Sequence, residues 1–185
     1  MQKNSLALKS VKFLTAAAML TAMSVVIGIF CKTFLNFSMG LFRITFENTP
    51  IIMAGILLGP TAGGLVGGAS DFISYLLSGQ SYPMNFVVTA GAVSIGVISG
   101  MVSHYVIKKR SSVQILLSGL SAHAVGSMII KPIGLYQFYG VLVLWRIPLY
   151  LIIAPIEIFV ICVLLKRRSF ARLIGYFSED KNELR

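Results

Sequence analysis

Apolar residues run along this chain in long stretches separated by short polar breaks. The stretches fall at 13–31, 44–58, 62–77, 86–107, 113–130 and 141–165. A helix needs about 20 mostly apolar residues to cross a bilayer, fewer where it is short or partly enclosed. The pattern therefore predicts an all-α, polytopic membrane protein, one integral domain built as a six-transmembrane-helix bundle, with 166–185 as a tail. The breaks have recognisable chemistry. Gly59-Pro60-Thr61 reads as a tight turn, since proline cannot continue a helix and glycine tolerates the angles needed. Residues 78–84 read as a short polar loop, 108–112 as a basic turn and 131–140 as an aromatic-rich loop. The second stretch would span only about 22 Å at 1.5 Å per residue. That length suits a helix that stops partway, beside a cavity.

Composition fixes the solvent. Hydrophobic residues make up 56% of the 185, and charged residues only 12%, against roughly 25% in soluble domains. Mean hydropathy is +0.85. A soluble fold of this size could not cover so much apolar surface with polar groups, so the surroundings are a bilayer. The first twelve residues carry three lysines, but no small-residue cleavage site follows a short apolar core. The first apolar run is therefore expected as a retained helix. Cys31 and Cys162 are far apart, form no CxxC and match no metal spacing; they read as packed thiols. His104 and His123 look equally isolated, and neither a zinc nor a haem site is expected.

Charge then orients the spans. Lys3, Lys9, Lys12, Lys108, Lys109, Arg110, Lys166, Arg167, Arg168, Arg172, Lys181 and Arg185 fall on one side, twelve of the sixteen basic residues. By the positive-inside tendency this side is cytoplasmic, and with six spans both termini share it. The net charge of +10 is then mostly an inner rim facing anionic lipid head groups. A nucleic-acid partner is not expected, because the cations sit at span ends and form no stripe with interleaved aromatics. Lys32, Arg43, Lys131 and Arg146 map instead to the outer side. Interfacial snorkelling explains such cations one at a time, and Lys32 fits it best. The other three cluster with polar and aromatic residues.

That outer cluster is the candidate site. The first loop and the second-span entry bring Phe37, Phe42, Arg43, Phe46, Glu47 and Asn48. The third loop brings Gln80, Tyr82, Asn85 and Phe86. Residues 131–140 bring Lys131, Tyr136, Gln137, Phe138 and Tyr139, and the last span opens with Trp145, Arg146 and Tyr150. An interfacial aromatic belt accounts for any single member. Together they suggest flat walls, hydrogen-bonding groups and cations, suited to a flat, polar, anionic heteroaromatic ligand. Glu47, Asp71 and Glu157 are carboxylates within spans, which are costly there and usually paired or functional. Glu47 lies one turn from Arg43 at i, i+4, where an internal ion pair is a sufficient role. Asp71 sits among small residues, where bonding a neighbouring helix is a sufficient role. Glu157 follows Pro155, and use near that kink is its simplest reading.

Several chemistries are missing. GPTAGGLVGG, residues 59–68, lacks the lysine of a phosphate loop, since Leu65 follows Gly64. Its glycines pair instead at small-xxx-small spacing, Gly63 with Gly67 and Gly64 with Gly68, which lets helices approach closely. No nucleophile elbow, HExxH or catalytic dyad appears, so an enzyme is not expected. Six spans with no nucleotide site suggest a binding subunit driven by partners. Ala18 and Ala22, four apart on the first span, offer either a docking face or ordinary packing within the bundle.

The segment FRITFENTPIIMAGILLGPTAGGLVGGASDFI, the Ala18/Ala22 pair and Trp145-Arg146 together resemble the substrate-binding S components of energy-coupling factor (ECF) vitamin transporters. Nearly the whole chain shares in the resemblance. The Gly-Pro turn and small-residue third helix mark the superfamily; Phe46-Glu47-Asn48-Thr49-Pro50 and Trp145-Arg146 resemble its folate-specific members. The resemblance implies a vitamin pocket near the outer face of a cell membrane, as in Gram-positive bacteria. It also implies a transmembrane coupling protein that meets the alanine face, and two cytoplasmic ATPases. ATP would be bound only by those partners, with the S component toppling in the membrane to deliver its vitamin; no cofactor is implied. Folate fits the independent reading, with a flat pterin edge for a carboxylate or amide and a dianionic tail for cations. On that reading Trp145, Tyr150, Phe42 and Phe46 stack on the ligand. Arg146, Lys131 and Arg43 hold the tail, Glu47, Asn85 and Asp71 read the pterin edge, and Tyr136 lies in the same cluster. Pantothenate or a phosphorylated flavin would also suit the cations, and a stand-alone proton-coupled carrier is the rival of another class. Cationic thiamine would not suit them.

Overall fold

The structure, a computed structural model, describes residues 2–37, 42–78, 84–107 and 112–166, with side chains described for 11–35, 44–78, 84–107 and 112–166. Helix dominates. Helix α1 runs Gln2–Phe34, α2 Asn48–Leu58, α3 Pro60–Leu77 and α4 Phe86–Met101, which continues into a π-helical turn, Val102–Val106. Helix α5, Ser112–Ala122, passes through a π-helical segment, His123–Ile130, into α6, Lys131–Tyr139. A 3-10 turn, Gly140–Trp145, then leads to α7, Arg146–Lys166. A small antiparallel ribbon, β1 Asn36–Phe37 with β2 Phe42–Arg43, lies between α1 and α2. The charged turn at 108–111, the loop at 79–83 and the tail beyond 166 lie outside the described residues, with the expectations for Gln80 and Tyr82.

Length and hydropathy make three helical stretches able to cross a membrane among the described residues: 11–34, 86–106 and 112–166. The last does not run straight. Gly140 adopts φ +57°, a left-handed angle that glycine takes without penalty, and α7 packs back along α5. The exterior is apolar on every long helix, with Leu14, Met19, Val26, Leu65, Phe72, Val113, Leu151 and Phe159 all exposed. In water such a surface would drive aggregation; in lipid it is the expected outer coat. Ala18 and Ala22 lie on the exposed side of α1, not in packing within the bundle.

Helix α2 is the central element. Of its eleven residues, Asn48 through Gly55 and Leu57 are buried. At 1.5 Å per residue it is about 16 Å long, so it stops partway, as the short second stretch suggested. Its start differs from the expected 44, because residues 44–47 are irregular after β2. Ile51, Ile52, Met53, Val66, Ile95, Ile161 and Leu165 form the apolar core around it.

Glycine sets the closest helix contact. Gly59, at φ +100°, turns the chain between α2 and α3, and Pro60 occupies the first turn of α3, where its missing N–H costs nothing. Beyond the turn, Gly63 and Gly67 press on α4. A Cβ on Gly96 would lie 2.0 Å from the Gly63 carbonyl oxygen, and one on Gly67 would lie 2.3 Å from that of Ala92. Gly64 and Gly68 face Val97 and Val93 of the same helix. The small-residue spacing thus serves packing of α3 on α4.

One expected loop is helical. Residues 131–139 continue the helix, with Pro132 in the first turn of α6, where it breaks few backbone bonds. A lysine at 131 read as a surface break only while it lacked a partner inside the protein; it has one.

Gly96→Ala should force α3 and α4 apart, and overpacking of this kind costs about 1–3 kcal/mol. Thermal unfolding in detergent should show a lowered midpoint. An unchanged midpoint would contradict the close contact.

Candidate functional site

A cavity opens beside the start of α2. It is lined by Ser24 of α1, Glu47 and Ile51 at α2, Ser70, Asp71 and Ser74 of α3, Ala92 of α4 and Lys131 of α6. Five helices thus contribute to one small polar chamber.

Lys131 is its centre. The residue is only 5% exposed. Its Nζ donates to Asn48 Oδ1 at 3.0 Å and lies 3.5 Å from Glu47 Oε1. An ammonium taken out of water needs such partners, because its desolvation costs several kcal/mol. Room for the lysine stem comes from Gly91, where a Cβ would lie 2.7 Å from Lys131 Cγ. On the α1 side, a Cβ on Gly28 would lie 3.0 Å from Glu47 Oε2 and 3.4 Å from Ser74 Oγ. Two glycines therefore let α1 and α4 close around the charges. Ser24 Oγ donates to the Glu47 carbonyl at 2.7 Å and ties the irregular segment 44–47 to α1. Asp71 Oδ2 accepts from Thr89 Oγ1 at 2.7 Å, so the second carboxylate is held by α4.

Residues 42–47 are not helical, so no helical turn sets the spacing of Arg43 and Glu47. Glu47 meets Lys131, 84 positions along the chain. The side chains of Phe42 and Arg43 lie outside the described residues, and Phe46 is half-buried.

The other named residues divide into inward and outward groups. Arg146 and Tyr150 are 8% and 4% exposed and begin a buried stripe on α7 that continues through Ile153, Ala154, Glu157, Ile158 and Ile161. Trp145 is 62% exposed and Tyr136 54%, and neither lines the cavity. Asn85 has a structural use: its Oδ1 accepts from the backbone N–H of Val87 at 2.9 Å and caps α4, while its Nδ2 donates to the Gly134 carbonyl. Lys32 donates to Ser74 O and Ser78 Oγ at 3.4 and 3.2 Å, joining α1 to the end of α3 where snorkelling alone was one reading.

Sequence reasoning missed a second cluster. His123, Glu157 and Asn48 have no exposure at all. His123 Nε2 lies 2.9 Å from Glu157 Oε2, Thr49 Oγ1 donates to Glu157 Oε1 at 3.1 Å, and His123 Nδ1 lies 3.2 Å from Ser127 Oγ. The signal was present as His123, Ser127 and Lys131, polar residues recurring every four positions in an otherwise apolar run. Read one at a time, they look isolated.

An apolar-coated helical protein with a small polar chamber between its helices has the shape of a membrane-embedded binding protein for a small molecule. Its sequence says which kind. A family described as the substrate-specific component of ECF transporters matches residues 12–177, and the chain belongs to that family. Members are substrate-binding subunits of transporters rather than enzymes, and they are membrane proteins. No curated protein matches the chain. Among solved structures, the fold is similar to FolT bound with folic acid, at TM-score 0.59 and 22% identity over 77% of this chain and 88% of that one. It is also similar to the S component of a bacterial ECF transporter, at TM-score 0.62 and 22% identity over 86% and 96%.

Lys131 and Glu47 should couple. Lys131→Met and Glu47→Gln should each lower the unfolding midpoint, and the double variant should lose less than the two combined, with a coupling of about 0.5–3 kcal/mol. Strict additivity in a double-mutant cycle would mean that the pair does not form.

Proposed function

We propose that this protein is the folate-binding S component of an ECF-type importer. One observation carries the reading: a buried cavity in which one ammonium, Lys131, stands with two carboxylates, Glu47 and Asp71, and three serine hydroxyls. A pterin offers an amino group and ring N–H donors beside a carbonyl acceptor. Carboxylates accept from such donors in charge-assisted hydrogen bonds, and an ammonium donates to the carbonyl. Lys131 therefore joins Glu47 and Asp71 as a reader of the ring edge, instead of holding the tail. The chamber as it stands has room for little more than a water molecule, so a ring would enter only as the lining side chains part. Arg146, buried on α7 beside Tyr150, is the cation proposed for the glutamate tail, with Arg43 next, while Tyr150, Phe42 and Phe46 are the proposed stacking partners. The fold's similarity to FolT supports the substrate at the level of architecture.

The wider scheme follows from family membership. Six spans with both termini cytoplasmic would place the cavity toward the outer face. The exposed Ala18 and Ala22 would meet the coupling protein, and ATP would be hydrolysed by two partner ATPases.

Calorimetry on the purified, detergent-solubilised protein tests the substrate. Folic acid should bind saturably at submicromolar concentration, about −8 kcal/mol or better, and thiamine should not bind. Arg146→Ala should weaken folic acid at least about tenfold, or 1.4 kcal/mol; unchanged affinity would refute its role. Pantothenate or flavin mononucleotide binding in place of folic acid would transfer the site to another anionic vitamin. Uptake driven by a proton gradient in vesicles holding this chain alone would favour the carrier.

A further inference from the structure

The wholly buried cluster around Glu157 is not part of the cavity, yet it is bonded to the same elements. A carboxylate inside a membrane protein's core is costly, and apolar side chains of similar volume usually pack there without loss of stability. Packing alone does not explain its presence, but its connections suggest a reason. Glu157 bonds Thr49 on α2 and touches His123 at the start of the π-helical segment. Thr49 follows Asn48, whose Oδ1 receives the Lys131 ammonium, and Lys131 stands at the end of that same segment. The contacts close a loop through α7, α2, α6 and the segment 123–130.

The segment's register is what this loop controls. The Lys131 backbone N–H donates to the Gly126 carbonyl, five residues back. A π-helical stretch is rare and occurs mostly as a bulge within α-helix, which is the register it would fall back to. Reversion to α-helix would rotate Lys131 about the axis by roughly 100°, one residue of a 3.6-residue turn, and swing its amine off Asn48 and Glu47.

We infer that His123 and Glu157 are positioning residues that pin the π-helical register of 123–130 and so hold the Lys131 ammonium in the cavity wall. The consequence for ligand affinity rests on the proposed function of that cavity; the placement of the amine does not.

The test uses the full chain in detergent and the double variant His123→Leu with Glu157→Met. Acetic anhydride labels accessible amines, and mass spectrometry reads the extent at Lys131 and, as an internal control, at Lys32. Loss of the pin should raise Lys131 labelling about tenfold by easing its local opening, with Lys32 unchanged and the ligand-free unfolding midpoint equal or higher. Folic acid affinity should fall about tenfold alongside. Glu157→Gln, which can still accept from Thr49, should return Lys131 protection to near wild type. Unchanged Lys131 labelling in the double variant would overturn the inference, as would Lys131 and Lys32 rising together. If the double variant does not fold, Thr49→Val takes its place: raised Lys131 labelling supports the pin, and unchanged labelling refutes it. A wild type that fails to bind folic acid while the double variant still exposes Lys131 would refute the substrate and leave the positioning role standing.

Discussion

A lysine ammonium inside an apolar bundle has to be met by acceptors, and the core is arranged around meeting this one. Lys131 reaches Asn48 and Glu47 only because Gly91 leaves room for its stem and because the chain before α2 is irregular and tied to α1 by Ser24. Helix α2 stops short, so its N-terminal end lies inside the protein. Its first residues, Asn48 and Thr49, point polar groups at Lys131 and Glu157 where a full-length span would carry apolar ones. The short helix, the two glycines and the π-helical segment all become intelligible once the ammonium is placed.

The same logic separates the two kinds of packing here. Where α3 meets α4, glycines bring backbones into contact and no charge is involved. Where α2 meets α6 and α7, polar side chains link helices through hydrogen bonds that a bilayer cannot supply from solvent. The first interface holds the bundle together. The second is specific in direction, and its Lys131–Asn48 bond borders the chamber.

Much of the architecture was legible in the sequence. Long apolar runs, a Gly-Pro turn and small residues spaced by four read correctly as helices, the α2–α3 break and a close helix contact. The shortness of the second span was visible too, in the 44–58 stretch before the Gly59-Pro60 stop, although the helix begins only at Asn48. Residues 131–140 were misread because a lysine followed by proline and four aromatic or amide side chains resembles an interfacial loop; only a partner 83 positions away keeps Lys131 inside. Trp145 stands outside the chamber for a related reason. A helix periodicity counted from Arg146 predicts Tyr150, Ala154 and Glu157 on one face, and it says nothing of the 3-10 turn that precedes it and turns Trp145 outward. His123 and Glu157 escaped because their pairing is a tertiary fact with no local signal beyond a four-residue spacing.

A crystal structure of this protein grown with folic acid tests the central claim most directly, because it reads the contents of the chamber itself. Ring density should fill the space between α1, α2, α3, α4 and α6, with polar atoms within hydrogen-bonding distance of Glu47, Asp71 and Lys131. Density for folic acid elsewhere, with the Lys131–Asn48–Glu47 contacts undisturbed, would contradict the assignment of that chamber as the binding site.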